Sequence, residues 1–138
     1  MTNAEKCLYE YPSNLALIEA LKIEIEVLSS VHGHTYEAHA VNSISDPVAS
    51  VTARILSLEN RIKKIALRTR PVKRLCEELR YKTTCRISQM ALILRLRYFQ
   101  KFSVNSVMRE IAISYPTYWR RNQELLQMTK KFISEDKA

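Results

Sequence analysis

The sequence predicts an all-α fold, with an N-terminal helix and a long central helix followed by a C-terminal helix-turn-helix unit. Only one glycine and four prolines occur among 138 residues, and apolar residues make up 46% of the chain. In most windows the apolar residues recur every three to four positions, the repeat of an amphipathic helix. We expect three segments: an acidic helix and loop over 1–45, a long amphipathic helix over 46–82, and the helix-turn-helix domain over 83–138.

The first helix is predicted to follow a polar lead, with Ser13 or Asn14 as its N-cap, and to end near Ser29. Its apolar stripe consists of Ile18, Leu21, Ile25 and Leu28. The sequence then predicts a loop over 30–46, about as long as a compact domain tolerates.

Three histidines in that predicted loop raise the question of a metal site. They are His32, His34 and His39, and Cys7 is a further candidate ligand. Their spacing matches no standard zinc site, and no second cysteine or carboxylate stands at ligand spacing. We therefore expect solvated histidines and no metal.

The longest helix is predicted to begin with Asp46 as N-cap and Pro47 at its first position. Its apolar residues follow one another at steps of four, three, four and three, which is a heptad seam: Val51, Ile55, Leu58, Ile62 and Ile65. The register extends to Leu79, but Pro71 is expected to break or kink the helix. Two alternatives remain, packing on the first helix of the same chain or a homodimer through the 51–79 seam. We favour the first, since about two heptads are short for an isolated coiled coil.

A short helix to about Tyr81 and a turn over 82–84 should follow. The next helix, from about Arg86 to Phe99, is apolar on two sides, as a helix between two others would be. A turn over 100–102 separates it from the last two helices.

Residues 103–132 carry the pattern of two helices joined by a tight turn. Ser114 is placed to cap the second helix, and Pro116 falls in its first turn, where the missing N–H costs little. Four positions are apolar where the two helices must pack together: Val107, Ile111, Ile113 and Tyr118. This is the pattern of a helix-turn-helix, whose second helix enters the major groove of DNA.

The outward face of that second helix supplies the candidate DNA contacts. It consists of Tyr115, Pro116, Trp119, Arg120 and, one turn further, Gln123. Arg120 can donate bidentately to guanine or bind a phosphate, and Trp119 can lie against the sugar–phosphate wall. An ordinary helical hairpin with two solvated arginines could have the same sequence pattern. The pattern by itself therefore does not distinguish such a hairpin from a DNA-binding helix-turn-helix.

Charge is distributed unevenly along the chain. Residues 1–50 hold two basic against seven acidic residues, a net charge of −5, and residues 51–138 hold 20 basic against seven acidic, a net charge of +13. Arginine outnumbers lysine in the basic part, which favours contact with phosphates or bases over a merely solubilising surface.

Three segments resemble known phage regulators. Leu96–Ser114 resembles the helix-turn-helix of region 4 of sigma factors, and Thr117–Met128 is similar to the recognition helix of the RinA/ArpU family of phage late-gene transcriptional activators. Ser45–Ile65 is similar to that family's long central helix. The resemblance implies an activator that binds double-stranded DNA at a late promoter and works with host RNA polymerase.

The same resemblance implies roles for individual residues. Six would face the DNA: Ser114, Tyr115, Thr117, Trp119, Arg120 and Arg121. Ser103 and Arg109 would meet its backbone. The chain departs from the pattern at Met108, where alanine is usual, at Ala112 and Lys101, where glycine is favoured, and at Asn122, where many such helices are apolar.

Two other functions are expected alternatives. One is the DNA-recognition subunit of a phage packaging machine, which would form a ring, and the other is a protein that binds a host protein through its acidic N-terminal half. An enzyme is not expected, because the sequence lacks a glycine-rich phosphate loop and the common hydrolase motifs. Without a signal peptide, a membrane span or a disulfide framework, the chain is expected in the bacterial cytoplasm, associated with the nucleoid, and without a cofactor.

Overall fold

The computed structural model describes residues 1–39, 47–82 and 84–137. Over these ranges the chain forms five α-helices and no strand, which confirms the all-α prediction. The helices are α1 (Asn3–His39), α2 (Pro47–Tyr81), α3 (Cys85–Ile93), α4 (Val104–Ile111) and α5 (Tyr115–Lys137). A π-helical segment, Leu94–Phe99, continues α3. None of these helices is both long enough and apolar enough to cross a membrane.

The helices belong to two compact units. The first unit comprises Met1–Ser13 and Arg68–Ala138, and the second comprises Asn14–Leu67. Each of the long helices α1 and α2 therefore contributes one part to each unit. The boundaries of the two units differ from those of the predicted segments 1–45, 46–82 and 83–138. The first thirteen residues belong to the first unit, together with the C-terminal helices.

The start of α1 corrects the sequence prediction, since the helix begins at Asn3 and not near Ser13. Thr2 and Glu5 form a capping box: the Thr2 backbone N–H donates to Glu5 Oε2 at 2.8 Å, and the Glu5 N–H donates to Thr2 Oγ1 at 3.3 Å. Pro12 lies inside the helix, where a proline costs about 3 kcal/mol. The buried contacts of Leu8, which is fully covered in the first unit, help to offset that cost.

The end of α1 also differs from the prediction. A loop over 30–46 was expected, but the helix continues to His39, so the expectation is wrong for residues 30–39. Gly33 costs a helix about 1 kcal/mol relative to alanine, which does not stop an established helix from propagating. Residues 40–46, with the predicted cap Asp46, lie outside the described residues, as do the side chains of His32, His34 and His39.

Of the break or kink expected at Pro71, the break is wrong, because α2 runs through this residue from Pro47 to Tyr81. Pro71 removes one helical hydrogen bond. The residues that follow it, Val72 and Leu75, are both fully buried, and each contributes about 1.5–3 kcal/mol on burial. Tertiary packing therefore outweighs the local cost of the proline.

The second unit shows how the heptad seam of α2 is used. Leu58, at the centre of the seam, is buried, as are Ile18 and Leu21 on the predicted stripe of α1. Arg54 and Glu24 form an ion pair at 2.9 Å across the two helices. The buried Leu58 and this ion pair agree with packing within the chain, while Val51, Ile55, Ile62 and Ile65 are partly buried. A homodimer through residues 51–79 would have to uncover Leu58.

The first unit holds the main core. It is built from the start of α1, the end of α2, both sides of α3 with its π-helical continuation, and the inner faces of α4 and α5. The largest fully buried side chains there are Leu8, Val72, Leu75, Met90, Ile93, Val107 and Leu125. Thr84 caps α3 by accepting the Ile87 N–H at 3.2 Å.

Candidate nucleic-acid interface

Helices α4 and α5 lie where the sequence places the two helices of the motif, with a turn over 112–114 between them. Val107 and Tyr118 are buried between the helices and the core, while Ile111 and Ile113 are partly buried in the same cluster. These are the four positions predicted to pack the two helices together.

The turn requires a left-handed residue, which Ala112 supplies at φ 59° and ψ 50°. Its backbone N–H donates to the Met108 carbonyl, and the Ile113 N–H donates to the same oxygen at 3.2 Å. A residue with a Cβ costs about 1–2 kcal/mol in this conformation, so the departure from glycine noted in the sequence has a physical consequence.

The start of α5 is ordered by Ser114. Its carbonyl accepts the Tyr118 N–H at 2.9 Å, and its hydroxyl donates to Thr117 Oγ1 at 3.0 Å. Pro116 is the second residue of the helix, as predicted. The exposed Ser114 and the partly buried Thr117 thus bind each other at the N-terminal end of the helix, where backbone N–H groups and the helix dipole favour an anion.

The exposed face of α5 begins at Tyr115, the residue after Ser114. Tyr115 is 58% exposed and Trp119 is 51% exposed, and their rings stack with centroids 6.5 Å apart. Arg120 is exposed beside them, and Gln123 is partly buried one turn further along. Among the described residues, no side chain pairs with the Arg120 guanidinium.

The structure corrects the predicted position of Arg121. The resemblance to phage activators placed this residue on the DNA-facing side of α5 with Arg120. Its side chain is only 20% exposed. Nε donates to Gln89 Oε1 on α3 at 2.9 Å, and Nη1 lies 3.3 Å from the carboxylate of Glu124. Arg86 pairs with the same carboxylate at 2.8 Å. Arg121 therefore joins α5 to α3.

Ser103 and Arg109, the predicted backbone contacts, lie on α4. Ser103 is the N-cap: its Oγ accepts the Ser106 N–H at 3.2 Å and donates to Ser106 Oγ at 2.9 Å. Arg109 is exposed near the C-terminal end of the helix. The Ser103 hydroxyl is thus occupied within the chain, while Arg109 is exposed to solvent.

Sequence reasoning missed a buried polar contact behind this surface. The Tyr98 hydroxyl donates to Asn122 Oδ1 at 2.6 Å, and both residues are at most 5% exposed. Burial raises the pKa of Tyr98 well above its ordinary value, so the phenol stays protonated. The contact explains why Asn122 occupies a position that is often apolar, since the hydrogen bond satisfies its buried carbonyl oxygen.

Lys101 ties the first turns of α1 to this unit. Lys101 stands where sigma-like proteins favour glycine, and its backbone is left-handed at φ 63°. Its ammonium donates to the carbonyls of Tyr9 and Tyr98 and lies over the Tyr9 ring. Partial burial lowers the pKa of Lys101. A glycine here would relieve the strain but would lose these contacts.

An aromatic groove of about 340 Å³ runs between the start of α1 and the exposed face of α5. It is lined by Met1, Glu5, Tyr9, Arg97, Tyr98, Val104, Tyr115, Tyr118, Trp119 and Asn122. Tyr115 and Trp119 therefore belong both to this groove and to the outward face of α5. The described residues contain no group of three His, Cys, Asp or Glu side chains placed to hold a metal ion.

Comparison of the chain with protein-family models, with curated proteins and with solved structures finds no match. The resemblance to the RinA/ArpU family is therefore a prediction from the sequence alone. The proposed function is based on the geometry of the site.

Proposed function

We propose that the protein is a sequence-specific DNA-binding regulator of transcription, in which α4 and α5 form a helix-turn-helix and α5 enters the major groove. The observation that carries the proposal is the exposed start of α5. There Tyr115, Trp119 and Arg120 stand open to solvent, on a helix held rigidly by its buried opposite face.

Each exposed group has a chemical role in this proposal. Arg120 reads a guanine through its two parallel N–H donors, since a guanidinium matches the O6 and N7 acceptors of guanine in the major groove. The stacked rings of Tyr115 and Trp119 contact sugars or a thymine methyl group. Arg109 on α4 binds a phosphate, which fixes the position of the protein on the duplex.

The resemblance to late-gene activators supports a narrower form of the proposal. In that form the protein activates phage late or packaging genes together with host RNA polymerase. The net charge of +13 over residues 51–138 supports contact with a polyanion, and the net charge of −5 over residues 1–50 leaves an acidic part available to a protein partner.

The test is selection of binding sites from a random DNA library with the purified protein, followed by salt titration of the enriched sequences. We expect one enriched motif, bound far more tightly than random DNA. Arg120→Ala should weaken binding by about 1–3 kcal/mol and relax the preference at one base pair.

Lys130→Ala is the matched control, because it also removes one exposed positive charge from α5, about 15 Å further along the helix axis. It should leave the preferred sequence unchanged. Equal losses for the two variants would show that Arg120 does not read a base. Salt-sensitive binding without sequence preference would favour the packaging role, and absence of binding at low salt would favour a protein partner.

A further inference from the structure

A second apolar stripe on α1 faces away from the one that is buried. It consists of Ala16, Ala20, Ile23 and Val27, at steps of four, three and four, and is called here the α1 stripe. At about 100° per residue, it lies on the side of the helix opposite the buried Ile18 and Leu21. Ile23 is 58% exposed and Val27 is 54% exposed. Two adjacent large side chains at heptad spacing form a ridge that can serve as knobs for another helix.

α2 carries a shallow groove whose lining does not include the buried Leu58. The groove is lined by Ala53, Leu56, Ser57, Asn60, Arg61 and Lys64 and is called here the α2 groove. Leu56, one of its lining residues, is 54% exposed. Ala53, Ser57 and Asn60 are small or medium-sized and follow one another at steps of four and three beside the longer Arg61 and Lys64, which leaves a shallow depression for a side chain of another helix.

The charges beside the two faces are opposite in sign. Glu19 and Glu26 lie beside the α1 stripe, Lys64 lines the α2 groove and Lys63 lies beside it, and all four are exposed. Glu19 makes one exposed contact with Lys22 at 3.7 Å, and no ion pair among the described residues uses Glu26, Lys63 or Lys64. An acidic ridge and a basic groove on the same unit are complementary to each other, and neither includes the buried residues Ile18, Leu21 and Leu58 of that unit.

We propose that the α1 stripe of one copy of this chain packs in the α2 groove of a second copy. The occupant is another copy because the chain itself carries both complementary faces. Since the two faces differ, the contact is head-to-tail: each contact leaves a second face on each copy available for the next copy, so the assembly either closes as a ring or extends. The lining of the α2 groove does not include the seam residues Val51, Ile55, Leu58, Ile62 and Ile65.

The test measures the mass of the full-length protein by light scattering over a range of concentrations. We expect species above the monomer mass of 16.1 kDa, including species larger than a dimer. The charge reversals Glu19→Lys with Glu26→Lys should weaken association by at least about tenfold, and Lys63→Glu with Lys64→Glu should do the same. Mixing the two reversed proteins should restore the assembly, because each face again meets its opposite charge.

Reversal of Lys130 and Lys131 to glutamate is the control, since both are exposed on α5 in the other unit. Ile23→Asn combined with Leu56→Asn should also prevent association, and circular dichroism should show unchanged helix content because both side chains are exposed. A protein that stays monomeric at every concentration would overturn the proposal. So would an assembly that survives both reversals, or reversed proteins that fail to associate when mixed. The readout does not involve DNA, so it is independent of the proposed function.

Discussion

The hydrogen bond from Tyr98 to Asn122 gives the most informative test of the packing behind α5. Both side chains are almost fully buried and the bond is 2.6 Å long. Tyr98→Phe removes the donor and leaves the Asn122 carbonyl oxygen unpaired, which should lower the free energy of unfolding by about 1–3 kcal/mol. Asn122→Leu leaves the buried phenol without its acceptor and should cost a similar amount.

The double variant decides whether the bond itself is responsible. Replacing both partners with apolar groups leaves no unpaired polar atom, so the combined loss should be smaller than the sum of the single losses by about 1–3 kcal/mol. Urea unfolding followed by tryptophan fluorescence is the assay, since Trp119 is the only tryptophan and lies in the first unit. At a typical slope, each single variant should lower the unfolding midpoint by about 1 M.

Additive losses would refute the reasoning, because they would show that the two residues contribute independently of the bond. An unchanged midpoint for Tyr98→Phe would refute it as well. Tyr118→Phe is the matched control: this phenol is also buried but interacts with Arg97 and not with Asn122, so Asn122→Leu should not reduce the loss that it causes.

Three further predictions concern single residues. Ala112→Gly should raise the thermal midpoint by about 2–5 °C, because relief of about 1–2 kcal/mol of left-handed strain exceeds the added entropy of the unfolded chain. Arg121→Ala should lower thermal stability without changing the selected DNA motif, because the side chain joins α5 to α3. A changed motif with unchanged stability would instead show that Arg121 contacts DNA. Cys85 should react with a thiol reagent before Cys7 and Cys76, since it is exposed while burial raises the pKa of the other two thiols; equal rates would contradict that order.

The two helices of the candidate interface could be predicted because their signals are local. Ser103, Ser114 and Pro116 stand where helix starts require them, and the apolar positions are set by the helical repeat. The left-handed Ala112 could also be anticipated, since a turn of this kind tolerates few conformations. Each of these features depends on residues only a few positions apart.

The predictions of a break at Pro71 and of a late start of α1 were wrong. They considered the local energetic cost of a proline in a helix and not the free energy gained when distant segments pack together. The sequence shows a proline penalty at Pro12 and Pro71, but the burial of Leu8 and Val72 is visible only when distant segments are brought together. The Thr2 capping box was a local signal that could have been found, since its spacing to Glu5 is the usual one.

The sequence by itself determined the helical class, the two C-terminal helices and the exposed position of Arg120, because helical periodicity assigns each residue to a face. Only the tertiary structure decided what lies opposite each face. It pairs Arg121 with Gln89 and Asn122 with Tyr98, and it places the first thirteen residues in the C-terminal unit. Those outcomes depend on residues far apart in the chain, and no local repeat specifies which of them meet.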